Sequence, residues 1–255
     1  ESLVKIKMNI KRKNCGLIII GDEILSGKTL DTNSNFLAKE LSNRGVDVKE
    51  IFIIGDIEKS IINCVRNFSK KFNFVFTTGG IGPTHDDITS SSISKAFNKE
   101  LLENKEARGL LEKHYPGNEL TKARLKMAFM PKDSNLIYNP VSIAPGFFIK
   151  NVYVFPGVPK IMEIMFVEFI DKLLKKNPLP QKSISTKLSE GIIGEYVGEI
   201  QVNYPNVMIG SYPYFKNNNF GVTLVLKSTN KNDLNKVCDE LFSFLKKKKG
   251  NPMLF

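Results

Sequence analysis

The sequence predicts the α/β class, with a mostly parallel sheet covered by helices on both faces and a second, smaller α+β domain after it. Three observations carry this prediction. From residue 16 onward, short apolar runs alternate with amphipathic segments in the order β-α-β-α-β-α, which builds a parallel sheet. Asn177-Pro178-Leu179-Pro180 then reads as a linker, since two prolines disfavour any continuing helix. Beyond it the order changes to β-α-β-β-α over about 70 residues, enough for a compact unit. The expected domains are residues 15–176 and 183–250.

Gly16 to Ile20 is an apolar run of strand length, too short for a membrane span or a signal sequence. Ser34 to Arg44 places Phe36, Leu37 and Leu41 on one helical face, and Gly45 stops the helix. Val46, Val48 and Ile51 to Ile54 form the next strand. Asp56 can cap the helix that follows, which turns Ile61, Ile62, Val65 and Phe68 inward. Phe74 to Thr77 is a buried strand, followed by a glycine loop and a helix from Ile88 to Phe97. Glu103 to Met130 is helical in pattern but broken at Tyr115-Pro116-Gly117. Leu136 to Tyr138, Phe147 to Ile149 and Tyr153 to Phe155 are short strands, and Lys160 to Lys176 is an amphipathic helix. In the second domain Ser183 to Leu188, Val207 to Tyr212 and Gly221 to Leu226 are strands, with helices at Glu195 to Asn203 and Asp233 to Lys247. Val222, Leu224 and Leu226 alternate with Thr223 and Val225, as in a strand covered on one face. Glu1 to Asn14 is basic, without period, and reads as a tail.

Composition narrows the function. The net charge is +11, but only five of the 37 cations are Arg, and the chain is equally rich in Asn and Ile. That is a compositional bias towards Lys and Asn, and no nucleic-acid footprint is expected from it, although an anionic small ligand benefits from the field. Cys15, Cys64 and Cys238 are far apart, odd in number and without ligand spacing. They read as buried apolar residues of a reducing, cytoplasmic compartment, and no membrane segment is expected.

The chemistry concentrates in Thr77-Thr78-Gly79-Gly80-Ile81-Gly82-Pro83-Thr84-His85-Asp86-Asp87-Ile88-Thr89. Glycines between a strand and a helix let backbone N–H groups turn towards a phosphate, at the carboxyl edge of a sheet where ligands bind. Asp86 and Asp87 stand beside that cradle, and two carboxylates near a phosphate repel it unless a divalent cation intervenes. One of the pair can cap the next helix while the other orients a metal or water; the order is open. His85 is given no role.

Gly21-Asp22-Glu23-Ile24-Leu25-Ser26-Gly27-Lys28-Thr29 nearly spells a P-loop, but five residues separate its glycines where four are required. Asp22 and Glu23 would also face a triphosphate, so a nucleotide triphosphatase is excluded. Either acid can hold a metal or a ribose, or Asp22 only shapes the turn. Asn139-Pro140-Val141-Ser142-Ile143-Ala144-Pro145-Gly146 and Phe155-Pro156-Gly157-Val158-Pro159 are rigid turns. They are expected to form pocket walls with fixed backbone N–H groups, the second opening a helix.

Taken in order, Gly21 to Gly27 with Thr32-Asn33, Thr77 to Thr89, Asn139 to Gly146 and Pro156 to Pro159 resemble the amino-terminal domain of CinA-type competence/damage-inducible proteins. That domain belongs to the MoaB/Mog molybdopterin-binding superfamily, and the resemblance covers about residues 15–176. Ser183 to Lys249 resembles the small second domain of short CinA-like proteins. The resemblance implies a three-layer αβα fold and a pocket for a pterin or a dinucleotide pyrophosphate. It also implies self-association as dimer or trimer, and metal-dependent hydrolysis of ADP-ribose or FAD. Asp87 matches the acidic residue before the loop-closing Thr, and Asp56 the one after the second strand, both as metal or substrate ligands. Ser142-Ile143 departs from the Gly-Thr of many members. The chain ends at Phe255, which leaves no room for an amidase domain, so deamidase activity is not implied.

The expected function is therefore a metal-dependent nucleotide pyrophosphatase acting on ADP-ribose-like or FAD-like diphosphates. Asp86 and Asp87 are its catalytic candidates, and with Glu23 they are the ligands of Mg²⁺, Mn²⁺ or Co²⁺; no organic cofactor is expected. Gly79, Gly80, Gly82, Pro83, Thr84, Thr89, Asp22, Asn33, Asp56, Pro145, Gly146, Pro156 and Gly157 are the substrate-binding candidates. The alternatives are a molybdopterin-binding adenylyltransferase of molybdenum cofactor biosynthesis, or a non-catalytic nucleotide-binding module.

Overall fold

The structure is a computed structural model that describes residues 12–216 and 219–255. It divides into a unit spanning Arg12–Asn177 and another that begins at Pro178 and runs to Phe255. The expected amino-terminal tail lies, up to Lys11, outside the described residues; Lys13 and Asn14 already belong to the first strand.

In chain order the first unit comprises β1 (Lys13–Ile20), α1 (Asp22–Leu25), α2 (Asn33–Asn43), β2 (Val46–Ile54), α3 (Glu58–Lys71), β3 (Phe74–Thr78) and α4 (Thr89–Ala96). It continues with β4 (Leu101–Glu103), α5 (Lys105–His114), α6 (Lys122–Leu125), β5 (Phe129–Pro131), β6 (Asn135–Ile137), β7 (Gly146–Ile149), β8 (Val152–Phe155) and α7 (Pro159–Leu173). The main sheet has the order β2-β1-β3-β8-β7-β6. Its first four strands are parallel, and β7 and β6 are added antiparallel. Both faces are apolar because side chains alternate along each strand. Ile18, Ile20, Val75, Val152 and Val154 face a core that includes Ile61, Val65 and Phe68 of α3 and Ile93 of α4. Leu17, Phe74, Phe76, Tyr153 and Phe155 face Leu37 and Leu41 of α2 and Met162, Met165 and Phe166 of α7. This is the expected three-layer arrangement.

The segment read as an interrupted helix is more varied. Beyond α5 and α6 it ends in β5, which pairs with β4 as a separate ribbon that the sequence reading missed. Three residues per strand leave too little periodicity to detect.

The second unit contains β9 (Gln181–Thr186), α8 (Glu190–Asn203), β10 (Met208–Lys216), β11 (Asn219–Lys227), α9 (Lys231–Lys247) and β12 (Met253–Leu254). Its antiparallel sheet has the order β10-β11-β9-β12. Ile184, Val222, Leu224 and Leu226 meet Ile193 and Ile200 of α8 and Leu234, Val237 and Leu241 of α9. The α8 helix starts five residues before the expected Glu195, through Gly191 and Gly194, whose low helix propensity hid its first turn.

The three cysteines are buried and unbridged. Burial pushes the Cys15 thiol up to about 12 and the Cys64 thiol to about 11, which makes both poor nucleophiles. Among the described residues, no helix is long and apolar enough to cross a membrane.

Candidate functional site

The parallel strands end level with one another: Ile20 pairs with Ile54, Ile19 with Thr78, and Thr78 with Phe155. From β1 the chain turns towards β2, and β3 lies on the opposite side of β1. The crevice at their carboxyl ends is thus a topological switch point, where open α/β sheets bind ligands. A pocket of about 410 Å³ lies there. Loops from all four parallel strands contribute to it: Gly21, Glu23 and Thr29 after β1, Asp56 after β2, Gly79 to Gly82 with Asp86 and Asp87 after β3, and Pro156 to Pro159 after β8.

The β3 loop begins with two residues in left-handed backbone, Gly79 at φ 103° and Gly80 at φ 69°. Gly79 N–H donates to the Phe155 carbonyl at 3.0 Å, and Gly80 O accepts from Thr89 N–H at 2.9 Å. These two bonds fix the loop at both ends. The N–H groups of Gly80, Ile81 and Gly82 donate to no acceptor among the described residues, which leaves them for a ligand.

Asp86 and Asp87 are not helix caps. The N-cap of α4 is Ile88, and no side chain bonds there. Instead, Thr84 N–H donates to Asp87 Oδ2 at 2.8 Å, and the Thr84 hydroxyl lies 2.6 Å from the same oxygen and against Asp86 Oδ1. The Thr84 hydroxyl, followed by the residue's own backbone, holds the exposed Asp86 carboxyl below the usual carboxylate range. Asp56 does not cap α3 either; the N-cap is Ile57, and Asp56 Oδ2 accepts from Asp22 N–H at 3.1 Å. The Asp22 carboxylate lies against Gly55, where a Cβ would come within 2.4 Å of Oδ1; the Asp22 N–H bond to Asp56 ties α1 to the end of β2, and Asp22 does not line the pocket.

Burial raises the Asp56 carboxyl above its ordinary value, and the charges of Asp22, Glu23 and Asp86 raise it further against the one hydrogen bond from Asp22. A carboxyl whose folded pKa exceeds its unfolded one destabilises the fold above the folded pKa, and this penalty vanishes below the unfolded value of 3.8. Asp56→Asn is therefore expected to raise the melting temperature of the metal-free protein by about 1–3 °C near pH 7, with the gain disappearing towards pH 3.5. Thermal melts of both proteins with EDTA across that range would show it; a gain that grows on acidification contradicts the assignment.

The other sequence candidates are placed as follows. Gly79, Gly80, Gly82, Glu23, Asp56, Asp86, Asp87, Pro156 and Gly157 share the pocket. Pro83 and Thr84 are exposed beside its acidic wall, and Thr89 is fully buried beneath Gly80, with no hydrogen-bond partner for its hydroxyl among the described residues. Asn33 lies in an adjoining recess with Thr78, where its Nδ2 donates to the Gly157 carbonyl at 2.8 Å and so steadies the β8 loop. Pro145 and Gly146 stay outside. Gly146 opens β7, beyond β8 on the side away from β3, and is there for close packing: a Cβ would stand 2.3 Å from Val154 O. The Asn139 turn closes on itself, with Asn139 Oδ1 accepting from Val141 and Ser142 N–H and Nδ2 donating to Ala144 O. Sequence reasoning missed Thr29, which turns back to the pocket from the end of the false P-loop, and Lys126, whose ammonium donates to the Thr84 carbonyl.

The acidic residues carry donor sets suited to a hard divalent cation, oxygen only, and their mutual repulsion is what such a cation relieves. Among the described residues, however, no three His, Cys, Asp or Glu side chains are already gathered as a metal-binding group.

Comparison with known proteins gives a consistent frame. A family model described as probable molybdopterin binding domain matches residues 16–176, and one described as FAD synthase, middle domain, matches residues 178–252. A protein of Archaeoglobus fulgidus is 36% identical over 197 residues, covering 77% of this chain and 84% of its own length. A probable FAD synthase of Caenorhabditis elegans is 33% identical over 261 residues; the match takes in 92% of this chain but half of that protein. Among solved structures, the protein CinA of unknown function from Thermoplasma acidophilum matches with a TM-score of 0.60 and 34% identity, over 64% of this chain and 98% of its own. With its glycine loop at the switch point of a MoaB/Mog-like sheet and these matches along its length, the chain belongs to the molybdopterin-binding domain family, in a CinA-like form whose residues 178–252 are similar to the FAD synthase middle domain.

Proposed function

We propose that the protein is a divalent-metal-dependent pyrophosphohydrolase of nucleoside diphosphates of the ADP-ribose or FAD type. The observation that carries the reading is the meeting of Glu23, Asp56, Asp86 and Asp87 with the free N–H groups of the glycine loop in one pocket. Backbone N–H groups suit phosphate oxygens, whereas four carboxylates alone would repel them. The two features serve one ligand only if a cation stands between them. Asp86, Asp87 and Glu23 would hold that ion, with Asp56 as a further donor. When bound, such an ion supplies charge neutralisation of the diphosphate and a lowered pKa for an attacking water. The chain's own part is to orient the diphosphate on Gly80 to Gly82 and to fix the carboxylates through Thr84. A pocket of about 410 Å³ accepts a diphosphate with one attached sugar or base while the rest of a dinucleotide extends outward.

The kinship with a probable FAD synthase fits a nucleotide diphosphate ligand. Transfer and binding alone are the competing readings, and the test separates all three. The purified chain is expected to release AMP from ADP-ribose or FAD with Mg²⁺, Mn²⁺ or Co²⁺ and to stop when EDTA is added. Ligand-induced thermal stabilisation without release under any of the three ions would replace hydrolysis with binding. Adenylation of molybdopterin by the chain would assign it to the transferases.

A further inference from the structure

We infer that Lys126 is a positioning residue for the acidic wall of the pocket, acting through the Thr84 carbonyl. Its consequence for turnover rests on the pyrophosphohydrolase reading above; its geometry does not. Lys126 arrives from the segment between β4 and β5, some forty positions beyond the loop that it touches. That segment is a firm platform. Thr121 Oγ1 accepts from Arg124 N–H at 3.2 Å to cap α6, Ala128 is fully buried, and its carbonyl accepts from Asn104 N–H at 2.8 Å. Lys126 lines a small recess with Leu101 and Phe129, and its ammonium donates to Thr84 O.

Thr84 is the hub of the acidic pair. Its N–H serves Asp87, and its hydroxyl lies within bonding distance of both Asp86 and Asp87. A hydroxyl has one proton and can donate to one carboxylate at a time, so Thr84 reaches both acids only with its hydroxyl on Asp86 and its N–H on Asp87, and each then has a single Thr84 donor. The ammonium supplies positive charge at that point while fixing the peptide that presents both Thr84 donors. Among the described residues, no other side chain from outside the loop hydrogen-bonds to residues 83–87. Without Lys126, an exposed turn would be left to hold two like charges by itself.

The test uses the full chain in two measurements. In the ligand-free protein, Lys126→Met keeps most of the side chain's length but removes the ammonium. Amide hydrogen exchange at Thr84 and Asp87 is expected to quicken about tenfold with β1 and β3 unchanged, and Lys126→Arg to restore it to within about threefold. In ADP-ribose hydrolysis, kcat of Lys126→Met is expected to fall about tenfold with KM within about threefold, again rescued by Arg. Should the Met variant not fold, Lys126→Gln takes its place. Loop exchange within about twofold of the unaltered protein overturns the inference, as does an unchanged kcat. If the unaltered protein hydrolyses nothing, the pyrophosphohydrolase reading fails separately and the exchange measurement alone decides the role of Lys126.

Discussion

Asp87→Asn is expected to lower ADP-ribose turnover by about 10²–10⁴-fold, while the melting temperature of the ligand-free protein moves by no more than about 2 °C. The two halves of this expectation come from different properties of one side chain. Asp87 Oδ2 accepts from Thr84 N–H at 2.8 Å, and an Asn carbonyl oxygen can accept the same bond, so the loop keeps its shape. The charge is lost, and with it the more buried acid of the pair: Asp87 is half-buried, whereas Asp86 is exposed and accepts from the Thr84 hydroxyl. Asp86→Asn is accordingly the milder change. The check is a titration of kcat against Mg²⁺ or Mn²⁺ for both variants beside differential scanning calorimetry. Turnover of Asp87→Asn within about threefold of the parent would remove Asp87 from the chemistry.

The same loop shows how far sequence alone reaches. The strands of the main sheet were legible because a sheet covered on both faces demands unbroken apolar runs, and Leu17 to Ile20, Phe74 to Phe76 and Tyr153 to Phe155 supply them. Their level ends then place every following loop on one edge, so Glu23, Asp56, Gly79 to Gly82 and Pro156 to Gly157 meet as their positions after strands implied. What was misread is local hydrogen bonding. An Asp at the end of a strand and before a helix is a cap by default, yet Asp56 bonds to α1 and Asp87 to Thr84. Both partners are set by tertiary approach or turn geometry, which composition does not reveal. Lys126 was hidden for a related reason, since its segment contains several lysines and only the β4–β5 ribbon decides which one reaches the loop. Pro145-Gly146 looked like a pocket turn because proline and glycine mark both tight turns and close strand packing, and here the glycine serves packing.

Gly79→Ala is expected to destabilise the protein by about 3 kcal/mol or more, a fall of some 6–12 °C in melting temperature, and to abolish binding of ADP-ribose. Gly79 has φ 103°, beyond the small left-handed region that an L-residue tolerates. A Cβ there would stand 2.0 Å from the Ile20 carbonyl oxygen, a backbone atom at the end of β1, which is paired on both sides. Neither side can yield cheaply. Moving Ile20 breaks its pairing with Ile54, and moving Gly79 breaks its bond to the Phe155 carbonyl and opens the seam between β1 and β3. Gly82→Ala makes the useful contrast, since its Cβ would meet the Asp87 carboxylate at 2.7 Å, a side chain that can swing away. The Gly82 variant should therefore melt near the parent yet lose activity, because the displaced group is the carboxylate itself. Thermal melts and ADP-ribose binding on the two variants separate these effects. If Gly79→Ala melts within about 2 °C of the parent, the close approach of the loop to β1 is not what shapes the pocket. If Gly82→Ala loses as much stability as Gly79→Ala, the Asp87 carboxylate is a structural tie rather than a movable ligand.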